Sequence, residues 1–294
     1  MALKVIIIVA TAGRREIVDR FLQHLEKQRR PPNEVIVSAP DRSHVGSYQT
    51  QHFPTSYLFG RMGLTTQRNL GLESALGRCD VITFFDDDFL PADDYLEQVE
   101  TGFEGNHDWT VVMGQAIHDG AKTPGLSFDE GLAKLRAAEL GRTRQDVPQV
   151  SDHYAAYGCN MSIRATCVGS VRFDERLVLY GWQEDIDFAS QLRRRGRVVK
   201  VSSLIGVHLG TKSGRVSGIR FGYSQLVNPA YLIRKGTMPI GFAVELMGRN
   251  FVANLLRSLW PEAHVDRRGR LKGNLLAACH LLRGRIEPEH ILNL

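Results

Sequence analysis

The chain opens on an unbroken apolar stretch. Lys4–Ala10 holds five β-branched residues in a row, the pattern of a strand covered on both faces rather than one side of which meets water. Ile17, Phe21 and Leu25 then recur at helical spacing, and Pro31-Pro32 ends that helix. Glu34–Ala39 (EVIVSA) reads as a second strand, 42–56 as a polar loop, and Leu64–Leu76 as a helix with Leu72, Ala75 and Leu76 facing in. Val81–Phe85 (VITFF) is a third strand. Tyr95, Leu96, Val99 and Phe103 mark another helix, and Trp109–Gly114 (WTVVMG) another strand. Residues 119–152 are polar and partly helical, an excursion from the core. Phe188, Ala189 and Leu192 belong to a helix closed by Gly196, followed by a strand at Val198–Val201 and an apolar run at Leu204–Val207. The Gly- and cation-rich segment 210–222 predicts a mobile loop. Phe242 to Trp260 is helical and apolar, and 270–284 is a basic amphipathic helix.

Strand, helix, strand, helix, strand within the first ninety residues predicts right-handed βαβ units and a mostly parallel sheet flanked by helices, an α/β fold. Ligands of such sheets bind beyond the carboxyl ends of the strands. Three strand ends, Thr11–Arg14, Ala39–Asp41 and Asp86–Asp88, are therefore expected to share one crevice.

Bulk properties refine this picture modestly. The 294 residues, 43% hydrophobic and 23% charged, suffice for a sizeable core without disulfides or a structural metal. Cys79, Cys159, Cys167 and Cys279 lack CxxC spacing and read as buried thiols in a reducing compartment. Net charge is +5, which suits either an ordinary basic protein or contact with phosphorylated substrates or an anionic membrane face. The excess gathers late, at Arg193–Arg195 and in 264–285. No stretch approaches the roughly 20 apolar residues of a membrane span. The short apolar start, with Lys4 its one preceding cation, reads as a strand rather than a signal peptide.

Asp86-Asp87-Asp88 carries the strongest chemical signal. Adjacent carboxylates repel, and at a ligand-binding strand end they suit Mg2+ or Mn2+, which take oxygen ligands from carboxylates and substrate phosphates. A solvated acidic turn is the plainer alternative. In GWQEDIDF, Glu184 and Asp187 can share a helix face while Asp185 points elsewhere. A general base and an acidic helix N-terminus explain these residues equally well on spacing. Gly181-Trp182 would provide a tight aromatic approach suited to a sugar ring. His208, taken alone, reads more readily as an ordinary core or surface histidine than as a metal ligand. Arg14, Arg68, Lys212 and Arg215 could be solvated cations or could neutralise a diphosphate.

In order and spacing, VIIIVATAGR, EVIVSAPD, TTQRNLGLESA, VITFFDDDFLP, YGCNMSIRA, GWQEDIDFASQLRRRG and VHLG resemble the family 2 glycosyltransferases of the GT-A fold, over roughly residues 4–210. The likeness is to bacterial members that build exopolysaccharides and cell-surface glycans. It implies inverting, metal-dependent transfer from a nucleotide-diphosphate sugar, UDP-linked by default, to a glycan or lipid-linked acceptor. Thr11, Arg14, Asp41, Arg68 and Asp87 would serve the nucleotide, and Lys212 or Arg215 would close over the diphosphate. Asp86 and Asp88 would form the DxD motif, with His208 completing a Mn2+ or Mg2+ site. Asp185 would be the catalytic base. Gly158, Asn160, Trp182 and Glu184 would line the donor–acceptor boundary. The strand ending SAPD departs from the family's usual small polar run before the aspartate. Residues 1–225 are expected to form the catalytic domain, with 1–115 the nucleotide half and 116–225 the acceptor half. Many relatives carry transmembrane helices after the catalytic domain; here 226–294 is instead a helical extension with apolar faces and many cations, which reads either as an element touching the inner face of the cytoplasmic membrane or as a pair of helices packed on the catalytic core. No nucleic-acid partner is expected. Rival readings are an inactive carbohydrate-binding or scaffold relative, a sugar-1-phosphate nucleotidyltransferase and an aspartate phosphohydrolase. The last two would place their phosphate loop or nucleophile after the first strand, where ATAGRR has one glycine and no carboxylate.

Overall fold

A computed structural model describes residues 2–142, 148–213 and 216–294. Its centre is one sheet of nine strands: β1 (Val5–Ala10), β2 (Glu34–Ala39), β3 (Thr55–Phe59), β4 (Val81–Asp86), β5 (Phe89–Pro91), β6 (Trp109–Asp119), β7 (Val150–Asp152), β8 (Asn160–Arg164) and β9 (Arg197–His208). Their order is β3-β2-β1-β4-β8-β6-β9-β5, with β7 also on β9. Six strands run one way. Strands β5, β7 and β8 run against them, so the sheet is mixed.

The first strand does what its composition dictates. Val5, Ile7 and Val9 enter a core cluster with Phe21, Leu22 and Phe85 from one face. Ile6 and Ile8 enter a second with Leu72, Phe84 and Phe188 from the other. Alternate side chains of a strand point to opposite faces, so a run apolar at every position needs cover on both. Helices α1 (Arg15–Leu25) and α3 (Tyr95–Gly105) supply one cover, α2 (Leu64–Ala75) and α5 (Glu184–Leu192) the other. Helix α4 (Phe128–Gly141) lies within the expected excursion and opens with a capping box between Ser127 and Glu130.

Several expectations are corrected. The stretch from 42 ends in β3, an edge strand only partly buried and so without a clean apolar signal. Strand β6 continues five residues beyond Gly114, and Val198–Val201 and Leu204–Val207 are one strand, β9. The expected mobile loop 210–222 is shorter, because helix α6 (Gly218–Lys235) starts inside it. Helices α6, α7 (Ile240–Arg257) and α8 (Arg267–Leu282) form the C-terminal bundle around Tyr223, Val227 and Ala277. A boundary drawn between 225 and 226 thus falls within α6.

Candidate functional site

Strand β4 delivers the acidic cluster. It is hydrogen-bonded on both sides, to β1 and β8, which fixes Asp86 opposite Ala10, while Asp87 and Asp88 form the turn into β5. The three carboxylates then part company. Asp86 turns to Arg68, whose Nη2 donates to its Oδ1 at 2.8 Å. Asp87 is buried against the end of β1, accepting from Thr11 Oγ1 at 2.6 Å and from Arg14 Nη1 at 2.7 Å. Asp88 is also buried and turns to His208, with Oδ1 at 3.3 Å from Nε2, while its Oδ2 accepts from the Thr211 backbone N–H at 2.7 Å. Asp86, Asp88 and His208 can each place one ligand atom within 4.8 Å of the others, the sole metal-capable cluster among the described residues.

Electrostatics follow from this division. Burial pushes the Asp87 carboxyl up to about 6 against the pull of Arg14. Burial acts the same way on Asp88, but hydrogen bonding from His208 outweighs it and holds that carboxyl below the ordinary range. Burial would discharge His208, yet Asp119 and Asp88 raise its pKa to about 10. The ring is pinned from its far side, where Nδ1 lies 2.9 Å from Asp119 Oδ1 and 3.2 Å from the Tyr157 hydroxyl. A carboxylate on Nδ1 holds a proton on that nitrogen, so a cation bound between Asp88 and His208 would displace the proton on Nε2 and take its place. Two carboxylate oxygens and one imidazole nitrogen, oriented this way, fit a borderline-hard divalent cation such as Mn2+.

The backbone beside this ring allows no slack. Residues 119–120 and 208–210 cross so closely that a Cβ on Gly120 would stand 1.9 Å from the Leu209 carbonyl oxygen. One on Gly210 would stand 2.0 Å from the Gly120 carbonyl carbon, and Gly210 also has φ +66°, a left-handed conformation that favours glycine.

A second group centres on Arg68, the largest fully buried side chain. Nη1 donates to Glu184 Oε1 at 2.6 Å, and Nη2 to the Gly158 carbonyl at 2.8 Å as well as to Asp86. Burial opposes its charge, but Glu184 and Asp86 outweigh this and raise its pKa. Burial and Asp185 push the Glu184 carboxyl well above its ordinary range. Arg68 therefore bridges the acidic strand end to the start of α5, and Glu184 faces Arg68. Asp185 stands beside them. Its Oδ2 accepts from the Gly158 N–H and its Oδ1 from the Ile186 N–H, each at 2.8 Å, and burial raises its pKa. A Cβ on Gly158 would lie 2.8 Å from Arg68 Nη1 and 3.1 Å from Asp185 Cβ. Glycine at 158 is what lets the two groups approach.

The remaining expected residues are more dispersed. Asp41 is exposed and caps the turn at Ser43, while the neighbouring His44 accepts from the Gly13 N–H at 2.8 Å. Asn160 is fully buried at the start of β8, away from any exposed boundary, and its side-chain amide meets no partner among the described residues. Trp182 is half-buried, 5.8 Å from the Phe221 ring, and Tyr180 lies 5.9 Å from the same ring. The segment bearing both aromatics is bounded by two non-glycine residues in left-handed conformation, Leu179 and Gln183 (φ +59° and +76°). Lys212 donates to the Gly120 and Ala121 carbonyls at 2.8 and 3.2 Å, and Arg14 reaches the Ser213 carbonyl, so 211–213 is tied to the acidic cluster. Arg215 lies outside the described residues. Asp119, Tyr157 and Gln67, whose Nε2 ties the carbonyls of Thr11 and Ser38 together, escaped sequence reading. The only signal for Asp119 was a His-Asp-Gly step that the strand was not expected to reach.

Comparison with known proteins places this arrangement. The sequence profile described as "Glycosyl transferase family 2" matches residues 6–164, over half of the chain. No curated protein matches by sequence. Among solved structures, S. aureus TarS 1–349 in complex with UDP-GlcNAc is similar with TM-score 0.54 and 14% identity, covering 96% of this chain and 92% of that one. A longer S. aureus TarS structure gives TM-score 0.52 and 17% identity, and there 87% of this chain spans only 44% of the other. The mannosyltransferase PcManGT from Pyrobaculum calidifontis, in complex with GDP-Man and Mn2+, gives TM-score 0.52 and 13% identity over 100% of this chain and 79% of that one. At such identities the structures establish a shared fold, the GT-A architecture, while the profile match establishes kinship. The chain belongs to glycosyl transferase family 2 and is a glycosyltransferase.

Proposed function

We propose that the protein transfers a sugar, with inversion, from a nucleotide-diphosphate sugar to a hydroxyl of a glycan or lipid-linked acceptor in cell-surface polysaccharide synthesis. The observation that carries this reading is the cluster of Asp86, Asp88 and His208 within 4.8 Å, its histidine oriented by Asp119. Asp88 and His208 would hold Mn2+ or Mg2+, with Asp86 supporting. Bound there, the cation would neutralise charge developing on the departing diphosphate. Thr11, Arg14 and Asp41 would face the nucleotide, with Lys212 and Arg215 toward the diphosphate. Asp185 would take the acceptor proton on a carboxylate oxygen as that hydroxyl attacks. Trp182 would form the acceptor wall. UDP is the first nucleotide to test, because TarS is seen with UDP-GlcNAc, and GDP the second, because PcManGT is seen with GDP-Man and Mn2+. Residues 1–225 would be the catalytic unit, and the enzyme would work at the inner face of a membrane.

Calorimetric titration of UDP and GDP with and without Mn2+ tests the reading. Tight binding of one nucleotide only with the metal present supports it. Equal binding in excess chelator overturns the metal assignment.

The orienting role of Asp119 gives a separate expectation. Removing a carboxylate that supports a metal-bound histidine typically costs roughly 10–100-fold in metal affinity. Asp119→Asn should weaken Mn2+ binding by about that factor, read from free Mn2+ by electron paramagnetic resonance, with little change in melting temperature. Unchanged affinity would remove Asp119 from the site.

A further inference from the structure

The C-terminal bundle leaves one helix half-dressed. Helix α7 turns Ala243, Met247, Phe251 and Asn254 toward the rest of the bundle. On the opposite side, Val252, Leu255 and Leu256 follow i, i+3, i+4 spacing and are all exposed, Leu256 by 61%, and Leu259, in the bend just past the end of the helix, is exposed as well. Residues so spaced share one helical face. Trp260, at the end of the stripe, is 82% exposed. A groove of about 580 Å3 includes part of the stripe, lined by Gly248, Arg249, Val252, Ala253, Leu256 and Arg257.

The surroundings are cationic. Residues 240–285 contain eight Lys or Arg and three Asp or Glu, a local +5 that equals the formal charge of the whole chain. Arg268 and Lys272 are exposed on α8, and Arg268 Nε donates to the Ser258 carbonyl at 3.2 Å, which brings α8 alongside the stripe. A second copy of this face would bring cations against cations. An anionic lipid surface would neutralise them while burying the apolar stripe and a tryptophan, the side chain that favours membrane interfaces.

We propose that this face of α7 and α8 docks on an anionic bilayer. The Val252–Leu259 stripe and Trp260 enter the boundary between headgroups and acyl chains, and the arginines that line the groove meet lipid phosphates. No helix among the described residues is long and apolar enough to cross a membrane, so the contact is in the plane of the interface. The other side of α8 reaches the aromatic segment: Arg270 lies 4.4 Å over the Phe221 ring, which touches Trp182 and Tyr180. This deepens the lipid-linked acceptor reading and rests on it only for what the docking is for.

Flotation of the full chain tests the proposal, using vesicles of phosphatidylcholine alone or with equal phosphatidylglycerol. The protein should float with the mixed vesicles, not with phosphatidylcholine, and less as salt rises. The Leu255→Glu/Leu259→Glu double variant should lose about tenfold or more of that binding, a difference of about 1.4 kcal/mol or more, with the wild-type melting temperature. Three results would overturn the proposal: no flotation of the wild type on mixed vesicles, equal flotation of the double variant, or a wild-type dimer in solution that the double variant splits. Transfer to a soluble acceptor is scored separately. Its failure, with flotation intact, counts against the acceptor reading alone.

Discussion

Asp185→Asn should lower sugar transfer by roughly 10²–10⁴-fold, the usual worth of a general base, while nucleotide and metal affinity stay nearly unchanged. The geometry explains the separation. Asp185 meets only backbone N–H groups, those of Gly158 and Ile186, and neither belongs to the metal cluster. The asparagine amide can accept one of those two bonds and must present an NH2 to the other, so a modest stability cost of about 1 kcal/mol accompanies the change. A variant that retains more than about a tenth of the wild-type rate would place the base elsewhere. The wild-type pH profile offers a second check. Burial raises the Asp185 pKa, and a base must be deprotonated to act. Activity should therefore climb with pH through a range above the ordinary aspartate value of about 3.9. A rate that stays flat down to that value would contradict the assignment.

Arg68→Met should cost about 3–5 kcal/mol of stability, because removing one partner of a buried ion pair strands the other charges. Glu184 and Asp86 both lean on this guanidinium, and Glu184 is itself buried. For a chain of this size the loss lowers the melting temperature by on the order of 10 °C. The pH dependence of the defect has a definite sign. Without Arg68, the folded-state pKa of Glu184 rises further above its unfolded value near 4.3. The unfolded chain then releases that proton more readily than the folded one as pH rises, so stability falls with rising pH across that interval. The variant should regain part of its stability as pH drops from neutral toward 5. Thermal melts of wild type and variant across that range read it directly. A defect of constant size would mean that Glu184 is not the stranded group.

Much of this site was legible in the chain itself, and the exceptions share a cause. The buried strands β1, β2 and β4 announced themselves because a sheet covered on both faces admits only apolar residues along them. Asp86–Asp88, Asp185 and His208 were legible as carboxylates and a histidine at the ends or starts of such elements. Strands β3 and β8 were not. The first is a half-buried edge, and the second, Asn160–Arg164, is five residues long and mixes polar with apolar side chains. Asp119 was missed because bulges interrupt the alternation of β6 near Met113 and again near Ala116. Arg68 was seen without its protein partners. Its partners lie 18 and 116 residues away, and nothing local distinguishes a guanidinium buried between distant carboxylates from one reaching for a phosphate. Similarly, nothing local showed that β1 brings Thr11 and Arg14 against Asp87.

The crossing of Gly120 and Gly210 also couples the two chain segments that aim the histidine. Each position is closed to every side chain by the backbone of the opposite segment, Leu209 for Gly120 and Gly120 for Gly210, so relaxing one alone opens nothing. Asp119 and His208 sit immediately before these contacts and inherit the same rigidity. Any side chain added at either glycine would push both segments apart at once, and with them the carboxylate of Asp119 from the ring of His208.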